Sequence, residues 1–595
     1  MVMVASAARM FVAALMLALP AGLHAASLPA VEATGGMVVS AQRLAAEAGL
    51  EVLRKGGNAI DAAVAVGYAE AVTNPCCGNI GGGGFLTAHL ADGRSVFINF
   101  RETAPAAASA DMYLDAAGQV VAGSSLNGWK AVGVPGTVAG LDMALTRYGT
   151  LDRATIMAPA IRLARDGFVL TRGDTDIMVR GVNRLRAHPN VARIFLRPDG
   201  TPFEPGDRLV QTDLAATLQA IADHGPDAFY QGSIPQKVEA ASRDGGGILT
   251  AADFAAYRAV ETAPLQCGYR GYTILSAPPP SSGGVTLCQI LHILEGYDLS
   301  TAGHHSAQGA HLMVEAMRHA YLDRNTYLGD PAFVSNPVEW LLSPAHAAAI
   351  RAGIGPGATP SSSLRPGVAP HEKPETTHYS VVDSQGNAVA VTYTINGLFG
   401  AGVIAGDTGF LLNNEMDDFT IKAGVPNLFG LMQGEANAIA PGKRPLSSMS
   451  PTIVLRDGRV FLVLGSPGGS RIITIALQVI LNMIDHRMAP QEAVDAPRLH
   501  HQWLPDQVFV ERFALSADTK ERLAALGYSI VEQTPWGAAA VIAVGGEAPG
   551  RRAESTSGND STATAGMRRG FLYGANDPRR PAGAALGFDG NGPRR

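Results

Sequence analysis

Cysteine is scarce, at four residues in 595. Cys76 and Cys77 are adjacent, and Cys267 and Cys288 lie far along the chain. That is too few for a disulfide framework, and no C-x-x-C pair suggests zinc. Adjacent cysteines rarely bridge without strain, so no bond between Cys76 and Cys77 is expected. For Cys267 and Cys288 a bridge and two buried thiols both stand. Charge is also low, at 16%, against 47% hydrophobic residues, which excludes a disordered chain. The 46 Lys+Arg and 52 Asp+Glu give 46 − 52 = −6. That mild acidity argues against nucleic acid as the main partner, because phosphate binding needs a basic surface. No segment after the N-terminus approaches the roughly 20 apolar residues of a membrane span.

Common catalytic signatures are missing too. There is no G-x-S-x-G nucleophile elbow. There is no H-E-x-x-H, since His371-Glu372 runs into Lys373-Pro374-Glu375. The run Gly81-Gly82-Gly83-Gly84 lacks the Lys and Ser/Thr of a phosphate loop and leads into a strand, so close backbone packing is the better reading. His304, His305 and His311 sit near a helix start and read as a cap region, so neither a metal nor a cofactor is expected.

The N-terminus carries Arg9, an apolar stretch from Met10 to Leu23, and small residues at Ala25 and Ala26. That is a signal-peptide layout over residues 1–25, so the chain is expected to be exported, to the periplasm or beyond. Ser40–Lys55 and Ala59–Val72 have helical patterns, the second small and apolar nearly all round, as in a buried helix. Phe85–Leu90 and Ser95–Phe100 flank Asp92-Gly93 and read as a hairpin. Helical patterns dominate from about Thr137 to Ile350: Val138–Tyr148, Ala154–Asp166, Leu214–His224 and Ala307–Tyr327. Arg351–Pro374 is rich in Pro, Gly and Ser and reads as a linker. Strand pairs follow at His378–Asp383 with Ala388–Thr394, and at Pro451–Leu455 with Val460–Leu464, before a buried helix at Ile473–Met483. Gly545–Arg569 reads as a flexible loop, followed by a short ordered piece from Gly570 to Asp577 and a Pro/Gly-rich end. Strands and helices in these proportions fit a layered α/β or α+β enzyme.

The junction Glu375-Thr376-Thr377-His378 holds the one chemical suggestion. Read alone, Thr376 and Thr377 are β-branched residues that open a strand. If the chain is cut before Thr376, however, a hydroxyl and an α-amine stand on adjacent atoms. An α-amine titrates near pKa ~8, so it can take the hydroxyl proton as its own general base.

Several long stretches, in one order, resemble the gamma-glutamyltransferase (glutathione hydrolase) family of N-terminal nucleophile hydrolases: NIGGGGF (79–85), FRETAP (100–105), PETTHYSVVD (374–383), LLNNEMDDF (411–419), RPLSSMSPTIV (444–454) and GSPGGSRI (465–472). The resemblance implies an α+β, four-layer αββα sandwich formed jointly by two subunits of one precursor. Self-cleavage between Glu375 and Thr376 would give a large subunit, residues 26–375, and a small one, residues 376–595. Thr376 would be the nucleophile, held by Thr394, with Gly468 and Gly469 supplying oxyanion donors. Arg101, Ser447 and Ser448 would bind the α-carboxylate of the donor, and Glu415, Asp418 and Asn396 its α-ammonium. Glu102 would support Arg101. The implied donors are glutathione and other γ-glutamyl compounds, and the acceptors are water, amino acids or dipeptides. Phe429 stands where many bacterial members have a lid tyrosine, so the lid would close without a ring hydroxyl. Cys76-Cys77 matches no family requirement and is given no role.

Overall fold

The computed structural model describes residues 27–364, 376–422, 424–546 and 567–590. The expected signal peptide, Glu375 and most of the 545–569 loop lie outside the described residues. Among those described, no helix is long and apolar enough to cross a membrane.

Two seven-stranded antiparallel sheets organise the chain. The first runs in the order Ala584–Phe588, Gly36–Ser40, Thr377–Asp383, Ala388–Thr394, Gly83–His89, Ser95–Phe100, Val260–Thr262. The second runs Val31–Ala33, Phe571–Asn576, Ala540–Gly545, Arg459–Gly465, Thr452–Arg456, Tyr272–Ser276, Leu265–Tyr269. Both expected strand pairs are present, in register Thr377↔Tyr393 and Thr452↔Leu464.

Period-two alternation sorts the central strands between two apolar layers. Val382, Ala388 and Ala390 face the other sheet and pack with Ile453, Val463 and Ile542. Tyr379, Val381, Val389, Val391 and Tyr393 face outward, onto helices. On that side the helix Ala59–Thr73 is buried along its whole length. Asn58 caps it in a box with Asp61, satisfying donors that a buried helix end cannot leave to water. Gly67 lets it approach the strands closely: a Cβ there would lie 2.7 Å from the Tyr379 hydroxyl, and the Tyr393 hydroxyl donates to Gly67 O at 2.7 Å. The second sheet is covered by Gly283–Leu294, Ala307–Tyr327 and Ile472–Ile484.

The glycine run is tight packing. A Cβ on Gly82 would sit 1.9 Å from Thr394 O, so only glycine lets this strand start press against the end of Ala388–Thr394.

Four expectations need correction. Cys76 and Cys77 are bridged to each other, while of the two alternatives left open for Cys267 and Cys288 the bridge is the one formed. The Arg351–Pro374 linker is partly helical, through Pro344–Gly353 and Ser361–Leu364, before it passes out of the described residues. Strands Val260–Thr262, Leu265–Tyr269 and Tyr272–Ser276 interrupt the helical middle, where sheet edges supply the packing that short segments lack alone. The Pro/Gly-rich C-terminal end adds an edge strand, Ala584–Phe588, on Gly36–Ser40.

Candidate active site

Thr376 is buried and stands one step before the first pair of the central ladder, which sets it across from Thr394. Both line one small pocket with Arg101, Arg324, Asn396, Glu415, Asp418, Phe429, Ser447, Ser448 and Gly469. Free space in the pocket is about 20 Å³, near the room needed for one water.

Thr394 Oγ1 accepts the Asn396 N–H at 2.8 Å. That bond fixes the turn leaving the strand, where Asn396 takes φ of 69°. Asn396 donates its amide to Asn414 O at 2.9 Å, while its Oδ1 is a buried acceptor with no partner among the described residues. Gly468 and Gly469 have φ of 146° and 55°, in the left-handed range that favours glycine, and lead through a 3-10 turn into the helix Ile472–Ile484. Free backbone N–H groups at such a helix start suit a developing oxyanion. Gly469 lines the pocket.

Charge is handled internally. Asp417 and Asp418, which in isolation read as a solvated acidic turn, are buried. Arg101 is 1% exposed and holds Glu415 through Nη1 and Asp418 Oδ2 through Nη2 at 2.5 Å. Glu102 Oε2 lies 3.6 Å from Nη1. Burial pushes the Glu415, Asp418 and Glu102 carboxyls up from their usual range, with Arg101 pulling them back. For Arg101, burial works against the charge, but the three carboxylates outweigh it and its pKa is raised. The groups assigned to opposite ends of a zwitterion are therefore paired with each other. Glu415 Oε2 also remains a buried acceptor without a partner.

Arg324 is the residue that sequence reasoning missed. Its Nη2 donates to Ser448 Oγ at 3.1 Å and its Nε to Ser282 Oγ at 2.9 Å. Among the described residues no carboxylate pairs with it, and burial pushes it down to about 10, with Tyr321 and Asp418 opposing. In the helix Ala307–Tyr327 it continues the buried stripe of Met317, Ala320 and Tyr321, and an arginine on such a stripe was the available signal. Ser447 is fixed by backbone bonds to Pro280 O and from Ser282 N, at 2.9 and 2.8 Å.

Phe429 lines the pocket and packs with Leu431 and Met432. Its segment is held by its backbone. Leu428 N–H donates to Asp417 Oδ2 at 2.7 Å, and Gln502 Nε2 donates to Phe429 O at 3.2 Å. The expected histidine cluster is dispersed: His304 stacks on His305, while His311 bonds the Tyr528 hydroxyl at 2.6 Å. Among the described residues no group of three or more His, Cys, Asp or Glu is arranged to hold a metal.

Comparisons with known proteins bear on the chain as a whole. Residues 45–586 match the family described as Gamma-glutamyltranspeptidase. The chain is 55% identical over 568 residues to the glutathione hydrolase proenzyme of Pseudomonas sp. (strain A14), covering 95% of this chain and 96% of that one. It is 48% identical over 561 residues to the glutathione hydrolase proenzyme of Escherichia coli K12, covering 94% and 93%. A cephalosporin acylase from Bacillus halodurans superposes with a TM-score of 0.80 at 27% identity, covering 96% of this chain and 99% of that one. With the family match spanning nearly the whole sequence, the chain belongs to the gamma-glutamyltranspeptidase family.

Proposed function

We propose that the chain is an exported glutathione hydrolase and γ-glutamyltransferase, made as a proenzyme that cleaves itself between Glu375 and Thr376. On this reading residues 26–375 and 376–595 become two subunits that jointly form a four-layer αββα sandwich. One observation carries the proposal. Thr376, the residue just before the strand Thr377–Asp383, opens into a pocket with both signs of charge and with two buried acceptors, Asn396 Oδ1 and Glu415 Oε2, unsatisfied among the described residues. Buried acceptors are normally satisfied, so these two fit an incoming donor group such as an α-ammonium.

The family's chemistry would run on these residues as follows. A donor exchanges into the internal ion pairs, its α-ammonium taking Glu415, Asp418 and Asn396 Oδ1, and its α-carboxylate taking Arg101, Ser447 and Ser448. Arg324, behind Ser448, adds positive field on the carboxylate side. The Thr376 α-amine accepts the hydroxyl proton as Oγ1 attacks the γ-amide carbonyl. The Gly468 and Gly469 N–H groups hold the oxyanion. Collapse breaks the C–N bond, the leaving amine takes the proton, and a γ-glutamyl ester remains on Thr376. Water or an acceptor amine then attacks the ester and returns the hydroxyl.

The acylase neighbour favours a second reading, attack on glutaryl-type amides. A glutaryl group has no α-ammonium, so the Glu415–Asp418 wall would then face nothing of opposite charge. Hydrolysis of γ-glutamyl p-nitroanilide and glutaryl p-nitroanilide separates the two. We expect the γ-glutamyl compound to be much the better substrate, and a preference for the glutaryl compound would reverse the assignment.

A further inference from the structure

The wall of the pocket at Thr376 is thin. Asn396, Phe429 and Gly469 line the pocket, while Gly397, Leu428 and Arg471 line a groove behind it, which has about 1,090 Å³ of free space and opens to solvent. Of these three wall segments the first is the most contorted. Asn396 and Phe399 take φ of 69° and 62°, a region that residues with a Cβ rarely adopt, and Gly400 and Gly402 take 57° and 73°. Such a turn keeps its shape only where its surroundings over-determine it.

The surroundings clamp the turn by its backbone. Phe399 N–H donates to Cys76 O at 2.9 Å, beside the Cys76–Cys77 bridge. Gly397 N–H donates to Asn414 Oδ1 at 2.8 Å. On the groove side stands the half-buried Arg184, from the short helix Val182–Arg186. Its Nη1 donates to Leu398 O at 3.1 Å and to Gly400 O, and its Nη2 to Asn127 Oδ1 at 2.9 Å. A Cβ on Gly402 would lie 2.7 Å from Arg184 Cγ, so the stem of the side chain lies flat on the turn. One side chain thus braces the turn from Leu398 to Gly402. The planar fork of a guanidinium suits this, and a lysine ammonium can replace it only in part.

We propose that Arg184 is a positioning residue for the donor: by holding the Leu398 and Gly400 carbonyls it keeps Asn396 in the left-handed conformation that presents its Oδ1 to the substrate. The inference rests on the γ-glutamyl reading above, in which Asn396 Oδ1 takes the α-ammonium. That contact is remote from the carbonyl under attack, so loosening it weakens ground state and transition state alike and raises KM while kcat holds.

The test is initial-rate kinetics of γ-glutamyl p-nitroanilide hydrolysis. Arg184→Met keeps the stem and removes the donors, and water from the groove can reach the two carbonyls. Its KM should rise about three- to tenfold, the scale of one weakened hydrogen bond, with kcat within about twofold of wild type. Arg184→Lys should fall between the two. KM does not depend on the amount of active enzyme, so partial loss of folded protein leaves the comparison intact. The same Arg184→Met change in an Asn396→Ala background should move KM by less than about twofold, because the residue it acts through is gone. A wild-type KM in Arg184→Met, or the same fold-rise in the Asn396→Ala background, would overturn the positioning role while γ-glutamyl hydrolysis persists. Absence of γ-glutamyl hydrolysis in the wild type would overturn both readings.

Discussion

The pocket at Thr376 has about 20 Å³ of free space, and the groove behind its wall about 1,090 Å³. The pocket sets Arg101 against Glu415 and Asp418 inside a closed interior. The groove gathers Arg180, Arg184, Arg471, Arg579 and Arg580 around a cavity that opens to solvent. A desolvated ion pair is costly to break one-sidedly, whereas exposed charges are screened and adapt to different partners. Both cavities depend on the same three wall segments, so the contrast can be broken from either side.

Removing the nucleophile should have the largest effect. Thr376→Ala is expected to stay full length and to lose γ-glutamyl hydrolysis entirely. Mass spectrometry of the purified protein checks the first part, and a chromogenic donor the second. Cleavage of this variant at the same bond would mean that an outside protease does the processing.

Opening the charge cluster comes next. Arg101→Ala leaves Glu415 and Asp418 buried without their partner, and Asp418→Ala leaves Arg101 short of one. Losing one side of a desolvated charged contact costs about 2–5 kcal/mol, or roughly 30- to several-thousand-fold in kcat/KM. Both variants should still self-cleave, because processing does not use the donor. Wild-type turnover in either would put the donor elsewhere.

A subtler contrast lies beneath the nucleophile strand. Glu70 is fully buried, accepts from Ser40 and from Asn74 Nδ2 at 2.8 Å, and meets the Thr377 hydroxyl at 3.2 Å. Burial pushes its carboxyl up to about 7, against the pull of its hydrogen bonds and of Arg580 on the groove side. A raised folded pKa gives stability that is complete below the unfolded value of 4.5 and is lost as pH rises through about 7. Glu70→Gln has no such loss. Relative to wild type it should gain up to about 3 kcal/mol in unfolding free energy between pH 4 and pH 8. Chemical denaturation at both pH values measures this, and parallel pH profiles would show that Glu70 does not titrate in that window.

Much of the pocket was legible because its residues fall in a few contiguous stretches. Thr376 opens a strand pattern after a Pro-rich run, and Gly468-Gly469 sits between a strand and an apolar helix. Arg324 was hidden because a helical pattern does not reveal that this helix is buried nearly all round. The groove was hidden for another reason. Arg180, Arg184, Arg471 and Arg580 lie in separate segments, each resembling a surface arginine, and only the packing of distant loops gathers them. The edge strand Ala584–Phe588 lay in a Pro/Gly-rich end, where its pairing with Gly36–Ser40 outweighs a weak local preference. The Cys76–Cys77 bridge ran against the general rarity of such bonds.

The smallest expected effect belongs to the wall itself. Phe429 faces the pocket while Leu428 faces the groove, so this segment is the door between them. The sequence suggested a lid without a latch, but the latch is in the backbone: the Leu428 N–H on Asp417 and the Gln502 side chain on Phe429 O. Asp417 is also fixed by the Ser125 hydroxyl at 2.6 Å, so the door is held whichever ring it carries. A tyrosine hydroxyl at Phe429→Tyr would add to a closure already in place, by about 0.5–1.5 kcal/mol at most. The expected result is a lower KM for γ-glutamyl p-nitroanilide, by several-fold, with a matching change in the ratio of transfer to hydrolysis when glycylglycine is present. A companion variant, Asp417→Asn, loosens the backbone latch and should move both quantities the other way. If Phe429→Tyr leaves KM and partition unchanged while Asp417→Asn shifts them, the gate is the backbone latch alone. If neither shifts them, the segment 427–431 is not the gate.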